Sequence, residues 1–152
     1  MSSKDDKQQT GVERLENAFA LCQAEGRRAV SPFITAGDPD CDTTVAILKS
    51  ISAAGATCCE LGVPYSDPIA DGAVIQSSYT RALNAGMNLE KMFGIVSSFR
   101  EVCEMPLLAM ASYSLIFRTG IEEFVRRGEA SGLAGFVVPD LPLEEADDLD
   151  RQ

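Results

Sequence analysis

Four short apolar runs, each followed by a helical stripe, restrict this chain more than any other feature. The runs cover residues 28–35 (R-A-V-S-P-F-I-T), 57–61, 106–112 (P-L-L-A-M-A-S) and 133–138 (L-A-G-F-V-V). Between them, apolar residues recur at helical spacing. The first stripe is Val12, Leu15, Phe19 and Cys22, ended by Gly26. The second runs from Asp42 through Val45, Leu48 and Ile51 to Gly55. A third helix is expected over residues 73–85, with Gly86 as its stop. Asn88 then caps a fourth helix that carries Leu89, Phe93, Val96, Phe99 and Cys103 on one face. Ile121, Phe124 and Val125 face inward from the next one, ended by Gly128 or Gly132. Strands that are apolar throughout and separated by helices predict a parallel sheet covered by helices, the α/β class. Pro32 is a mild objection to a central first strand. Residues 1–10 are polar and expected to be a disordered lead to a domain over 11–152.

The four strand exits carry most of the polar residues with chemical potential: Asp38, Glu60 with Asp67 and Asp71, Ser112 to Ser114, and Asp140. Parallel α/β proteins place their sites at that end of the sheet. The longest exit reads C-E-L-G-V-P-Y-S-D-P-I-A-D-G-A-V-I-Q over residues 59–76. A glutamate at a strand tip followed by an acidic loop can hold two carboxylates around a small polar substrate.

Composition narrows the chemistry. The net charge is −10, with no large basic cluster, which argues against nucleic-acid binding. Histidine is absent, so Ser-His-Asp and Cys-His catalysis are excluded and a metal site is not expected. Proton transfer must then rest on carboxylates, Tyr, Lys, Cys or water. The five cysteines show no C-x-x-C spacing and no secretory signal precedes them, so reduced thiols in a cytoplasmic protein are expected. No apolar run is long enough to cross a bilayer.

The run E-L-G-V-P-Y-S-D-P-I-A-D-G-A-V-I-Q, with S-P-F-I-T-A-G-D-P-D at the first strand and V-V-P-D-L-P-L-E-E at the fourth, resembles the tryptophan synthase alpha chain family. The resemblance implies a (β/α)8 TIM-type barrel with an extra N-terminal helix. It implies a lyase that splits indole-3-glycerol phosphate into indole and glyceraldehyde 3-phosphate. It implies a beta-chain partner in an alpha2-beta2 complex. The alpha chain needs no cofactor; pyridoxal phosphate belongs to the beta chain. By the same resemblance Glu60 and Asp71 are the catalytic pair, Phe33 and Ile75 line the indole pocket, and Pro64 and Asp67 belong to the loop that faces the beta chain.

The chemistry suits those residue types. One carboxyl, protonated at rest, delivers a proton to the leaving ring carbon and then removes one from the glycerol hydroxyl; Glu60 takes this part. Asp71, ionised, accepts the indole N–H and stabilises positive charge on the ring. The family form near the third strand's end is like Y-Y-N-P; here it is S-Y-S-L, with Ser112 and Ser114 in place of Tyr and Asn. That departure touches packing around the site rather than the acid and base. A barrel of this type needs eight strand–helix units and ~250 residues, and four units are legible here. A partial chain with poor or no turnover is therefore expected.

Blander readings exist for each residue. Glu60 could bond backbone at a strand end, and Asp71 before Gly72 could be a turn or cap residue. Asp67 before Pro68 makes an ordinary turn, Asp38 and Asp140 shape the rim, and Phe33 and Ile75 could be core. Cys58 and Cys59 face opposite ways and act as small hydrophobes. A different class is also open: a non-catalytic module whose 62–72 loop docks to and modulates the beta chain. A third option is another (β/α)8 enzyme acting on phosphorylated sugars or indoles.

Overall fold

The computed structural model describes residues 9–68 and 71–151. Most of the expected lead, residues 1–8, lies outside the described residues. Its last two residues belong to the fold: Thr10 caps the first helix, α1 (Gly11–Ala24), in a reciprocal capping box with Glu13. The remaining elements follow in order: β1 (Phe33–Thr35), α2 (Cys41–Ala53), β2 (Cys59–Gly62), α3 (Ala73–Asn84), α4 (Leu89–Arg100), β3 (Leu107–Met110), α5 (Tyr113–Thr119), α6 (Ile121–Ser131), β4 (Gly135–Val137) and α7 (Asp147–Asp150). A 3-10 turn at Leu143–Glu145 precedes α7.

The four strands form one parallel sheet in the order β1-β2-β3-β4. This is the α/β class that the apolar runs predicted. Each strand is shorter than its run. In the first, Val30 and Pro32 still accept backbone bonds from Thr57 and Glu60, but only three residues reach ladder geometry. Pro32 therefore sits just ahead of β1, where a missing N–H does no harm.

Register fixes which residues share a face. Ile34, Leu61, Ala109 and Phe136 stand side by side across the sheet. With Leu48 of α2, five residues of α4 and Phe124 of α6, that face makes the core. Strand alternation puts Phe33, Glu60, Leu108 and Gly135 in a row on the opposite face, and Thr35, Gly62, Met110 and Val137 in the row above it. Phe33, Leu108, Met110 and Val137 are only half-buried. β1 and β4 each have one neighbour, so among the described residues both edges of the sheet are open.

Two local expectations fail. The apolar stripe of α1 is only partly its buried face: Cys22 is buried and Leu15 half-buried, but Val12 is 61% exposed and Phe19 46%, whereas Arg14 is 9% exposed. Arg14 donates to the carbonyls of Gln9 and Gly132, the latter at 2.7 Å, and so pins α1 to the turn before β4. Burial and the nearby Arg100 lower its pKa from the ordinary arginine value. Directed bonds to a turn at one end and the buried Cys22 against Thr57 at the other decide how this helix sits. Second, the connection from β3 to β4 holds two helices rather than one. Gly120, at φ +91°, lets α5 end and α6 begin without a linker.

Candidate active site

Glu60 lies on β2 between Phe33 of β1 and Leu108 of β3. It is the second of four strand residues, so it projects from the sheet face one row below the exit rather than from the tip. Its side chain is half-buried and accepts from Ser31 Oγ at 3.4 Å. Among the described residues no lysine or arginine forms an ion pair with it. The next residue on the same face is Gly62. A Cβ there would lie 2.5 Å from Phe33 Cζ and 2.9 Å from the Tyr79 hydroxyl. Glycine is needed at that point so that Phe33 can lie across the sheet while Tyr79 reaches down from α3.

The loop after β2 is held from α3. Gln76 Nε2 donates to the Asp71 carbonyl at 2.7 Å and to the Pro68 carbonyl at 3.3 Å. Ser78 Oγ lies 2.6 Å from Thr35 Oγ1 at the end of β1. Arg81 grips Asp38 with both arms of its fork, at 3.0 and 2.6 Å. Asp38 is thus more than a turn former: it anchors α3 to the exit of β1. Pro64 is buried and Asp67 exposed, with Ser66 Oγ donating to Asp67 at 2.8 Å. Asp67 is placed for an outside contact; Pro64 shapes the loop from within.

Asp71 does not cap α3. That place belongs to Gly72, which has no side chain to do so. The Asp71 carboxylate takes no hydrogen bond from the described residues. It lines a small cleft with Tyr65, Tyr79, Met110, Ser112 and Asp140. Burial and the Asp140 charge push its carboxyl above the ordinary aspartate range. Burial, Asp71 and Tyr65 together keep the Tyr79 hydroxyl protonated well past its usual pKa. Phe33, Ile75 and Glu60 do not line the cleft themselves. Met110, however, shares the sheet face of Glu60 one row up and one strand over. Phe33, the first residue of β1, and Ile75, in the first turn of α3, are half-buried.

The raised Asp71 carboxyl sets a pH dependence. An acid whose folded pKa exceeds its unfolded value adds stability below the unfolded pKa and loses it as pH rises through the folded one. Asp71→Asn should therefore be slightly more stable than the native chain at about pH 7, and the gap should close at about pH 3, below the aspartate range. Urea midpoints at the two pH values measure this; a gap that is unchanged between them contradicts it.

The Ser112–Ser114 segment has a definite job. Ser112 is buried and caps α5 by accepting from the Ser114 amide. Its hydroxyl donates to Asp140 Oδ2 at 2.6 Å, and the Tyr113 amide donates to Asp140 Oδ1 at 2.8 Å. Sequence reasoning treated Asp140 as a turn residue and missed Tyr65 and Tyr79. For Asp140 the only signal was its place at a strand exit; for the tyrosines there was none. Cys59 behaves as the small hydrophobe expected of it. Burial, Cys58 and Glu60 push its thiol up to about 12.

A larger hollow of about 590 Å³ opens at the other end of the sheet, where Arg14 and Arg100 face Glu101 and Glu129. Its charges cancel and Arg14 is already committed to the Gly132 turn, so the strand exits remain the better site. Among the described residues no three Cys, Asp or Glu side chains gather as a metal site, and no helix is long and apolar enough to cross a membrane.

Comparison with known proteins agrees with this architecture. The chain is 46% identical over 140 residues to the tryptophan synthase alpha chain of Rhodopirellula baltica, covering 90% of this chain and 50% of the relative. Against that of Microcystis aeruginosa it is 49% identical over 135 residues, covering 89% and 51%. The chain thus spans about half the length of the curated relatives it matches. The crystal structure of tryptophan synthase subunit alpha from Legionella pneumophila superposes with a TM-score of 0.88 at 34% identity, covering 91% of this chain and 53% of that one. The structure of the tryptophan synthase a2b2 complex from Pyrococcus furiosus gives 0.78 at 41% identity, covering 81% and 49%. The tryptophan synthase alpha chain family model matches residues 19–152, and the chain belongs to that family.

Proposed function

We propose that this chain carries the catalytic pair of a lyase that cleaves indole-3-glycerol phosphate to indole and glyceraldehyde 3-phosphate in tryptophan biosynthesis. Residues 11–152 supply the first four strand–helix units of one barrel domain. The observation that supports this best is the Asp71 carboxylate in a cleft at the strand exits, with no donor to it among the described residues and with Met110 of the Glu60-bearing sheet face in the same cleft. In this reading Asp71 accepts the indole N–H. Glu60 delivers a proton to the ring carbon. As the carbon–carbon bond breaks, the glycerol hydroxyl gives its proton to Glu60 and becomes the aldehyde. Phe33 and Ile75 supply apolar surface for the ring.

The partner is a beta chain, in an assembly like the a2b2 complex of the Pyrococcus furiosus relative. Asp67 meets it from the exposed side of the loop, which Pro64 holds in shape. The chain itself takes no cofactor; pyridoxal phosphate sits in the beta chain. The setting is the cytoplasm. The test is direct: the full-length protein that carries this sequence as its first four strand–helix units, given indole-3-glycerol phosphate, should release indole and glyceraldehyde 3-phosphate in equal amounts. Release of neither, with the beta chain present, overturns the reading.

A further inference from the structure

Asp140 is more tightly engaged than a turn residue needs to be. One carboxylate oxygen accepts from Ser112 Oγ at 2.6 Å and the other from the Tyr113 amide at 2.8 Å. Both donors stand at the exit of β3, whereas Asp140 follows β4. The buried Ser112 also caps α5, so a single hydroxyl serves the helix and the cross-strand link. Asp140 and Asp71 line the same cleft, yet among the described residues only Asp140 has hydrogen-bond donors on its carboxylate. One carboxylate is fixed by protein donors, and no described residue donates to its neighbour.

We propose that Asp140 is a positioning residue of the Asp71 site: it clasps the exit of β4 to the start of α5 and holds a second negative charge beside Asp71. The inference rests on the reading of Asp71 as the acceptor of a ligand N–H. It goes further by assigning the cleft's electrostatic character to a residue on another strand. Two carboxylates at one cleft favour a ligand that offers an N–H and gains positive charge as it reacts. Around Asp71 the titratable groups are Asp140 from the β4 exit, Tyr79 of α3 and Tyr65 of the loop. Burial and Asp140 both raise its carboxyl. Asp140 is the charge beside Asp71 that can be removed.

The experiment is a carboxyl-carbon NMR titration of Asp71 in the native chain and two variants, with hydrogen exchange at the Tyr113 amide. Asp140→Asn can keep both contacts while losing the charge, and should lower the Asp71 midpoint. Ser112→Ala keeps the charge but breaks one contact. It should leave the midpoint near native while the Tyr113 amide exchanges about tenfold faster, as loss of a charge-assisted bond predicts. An Asp71 midpoint equal in native and Asp140→Asn overturns the proposal, as does a fall in Ser112→Ala equal to that in Asp140→Asn. Should Asp140→Asn not fold, unchanged Tyr113 exchange in Ser112→Ala overturns the clasp on its own. No substrate is involved. A full-length protein carrying this sequence that shows the shift but releases no indole sinks the lyase reading alone; one that releases indole without the shift sinks only the role of Asp140.

Discussion

Glu60→Gln should lower indole release from indole-3-glycerol phosphate by about 10²–10⁴-fold, the usual contribution of a positioned general acid or base. The substitution keeps shape and can still accept from Ser31, whose hydroxyl lies 3.4 Å from the native carboxylate. What it removes is the capacity to gain and lose a proton. No other acid on the described inner face of the sheet can take over, because the remaining positions are Phe33, Thr35, Gly62, Leu108, Met110, Gly135 and Val137. Stability should barely change, since among the described residues Glu60 holds no ion pair. The measurement is indole release by the protein carrying this sequence, beside its far-ultraviolet circular dichroism. A variant that keeps more than about a tenth of native activity removes Glu60 from the proton path.

The largest effect on stability should come from Phe124→Ala. Phe124 is fully buried on α6. Its ring meets Phe93 of α4 edge-on at 5.8 Å and Phe136 of β4 at 5.2 Å. It therefore joins two helices to the sheet. Removing a buried phenyl group costs about 3–5 kcal/mol when the surroundings cannot collapse. Here the gap would be walled by two more aromatic rings, one of them held from outside by Arg127 at 4.7 Å. Set against a typical stability of about 5–15 kcal/mol, the loss would remove a large share of the whole. Urea denaturation gives the difference directly. A loss below about 1 kcal/mol would mean that α6 is not packed as described.

The parts of this molecule that were legible in advance are those written in local chemistry. Asn88 caps α4 through the Lys91 amide because a short side-chain acceptor at that place satisfies an orphan N–H. Gly86, at φ +78°, stops α3 where a side chain would be strained. The helix over residues 113–119 was not legible: its S-Y-S-L start lacks a long apolar stripe, and it depends on Asp140 for part of its cap. The α1 stripe misled for a related reason. Spacing tells which residues share a face, but not whether that face meets the core.

By itself the sequence determined the order of the strands and most of the helices, the parallel sheet, the family, and the place of Asp71 on the long exit that follows Glu60. Each follows from neighbours along the chain, where periodicity, caps and a motif are enough. Only the tertiary structure decided that Asp140 is held by Ser112 and Tyr113 while no described residue donates to the Asp71 carboxylate. It also decided that Arg14, not Phe19, seats the first helix, and that Tyr79 leans over Gly62. Those outcomes depend on which groups come within bonding distance across strands, and that is set by sheet register and helix packing rather than by any local preference.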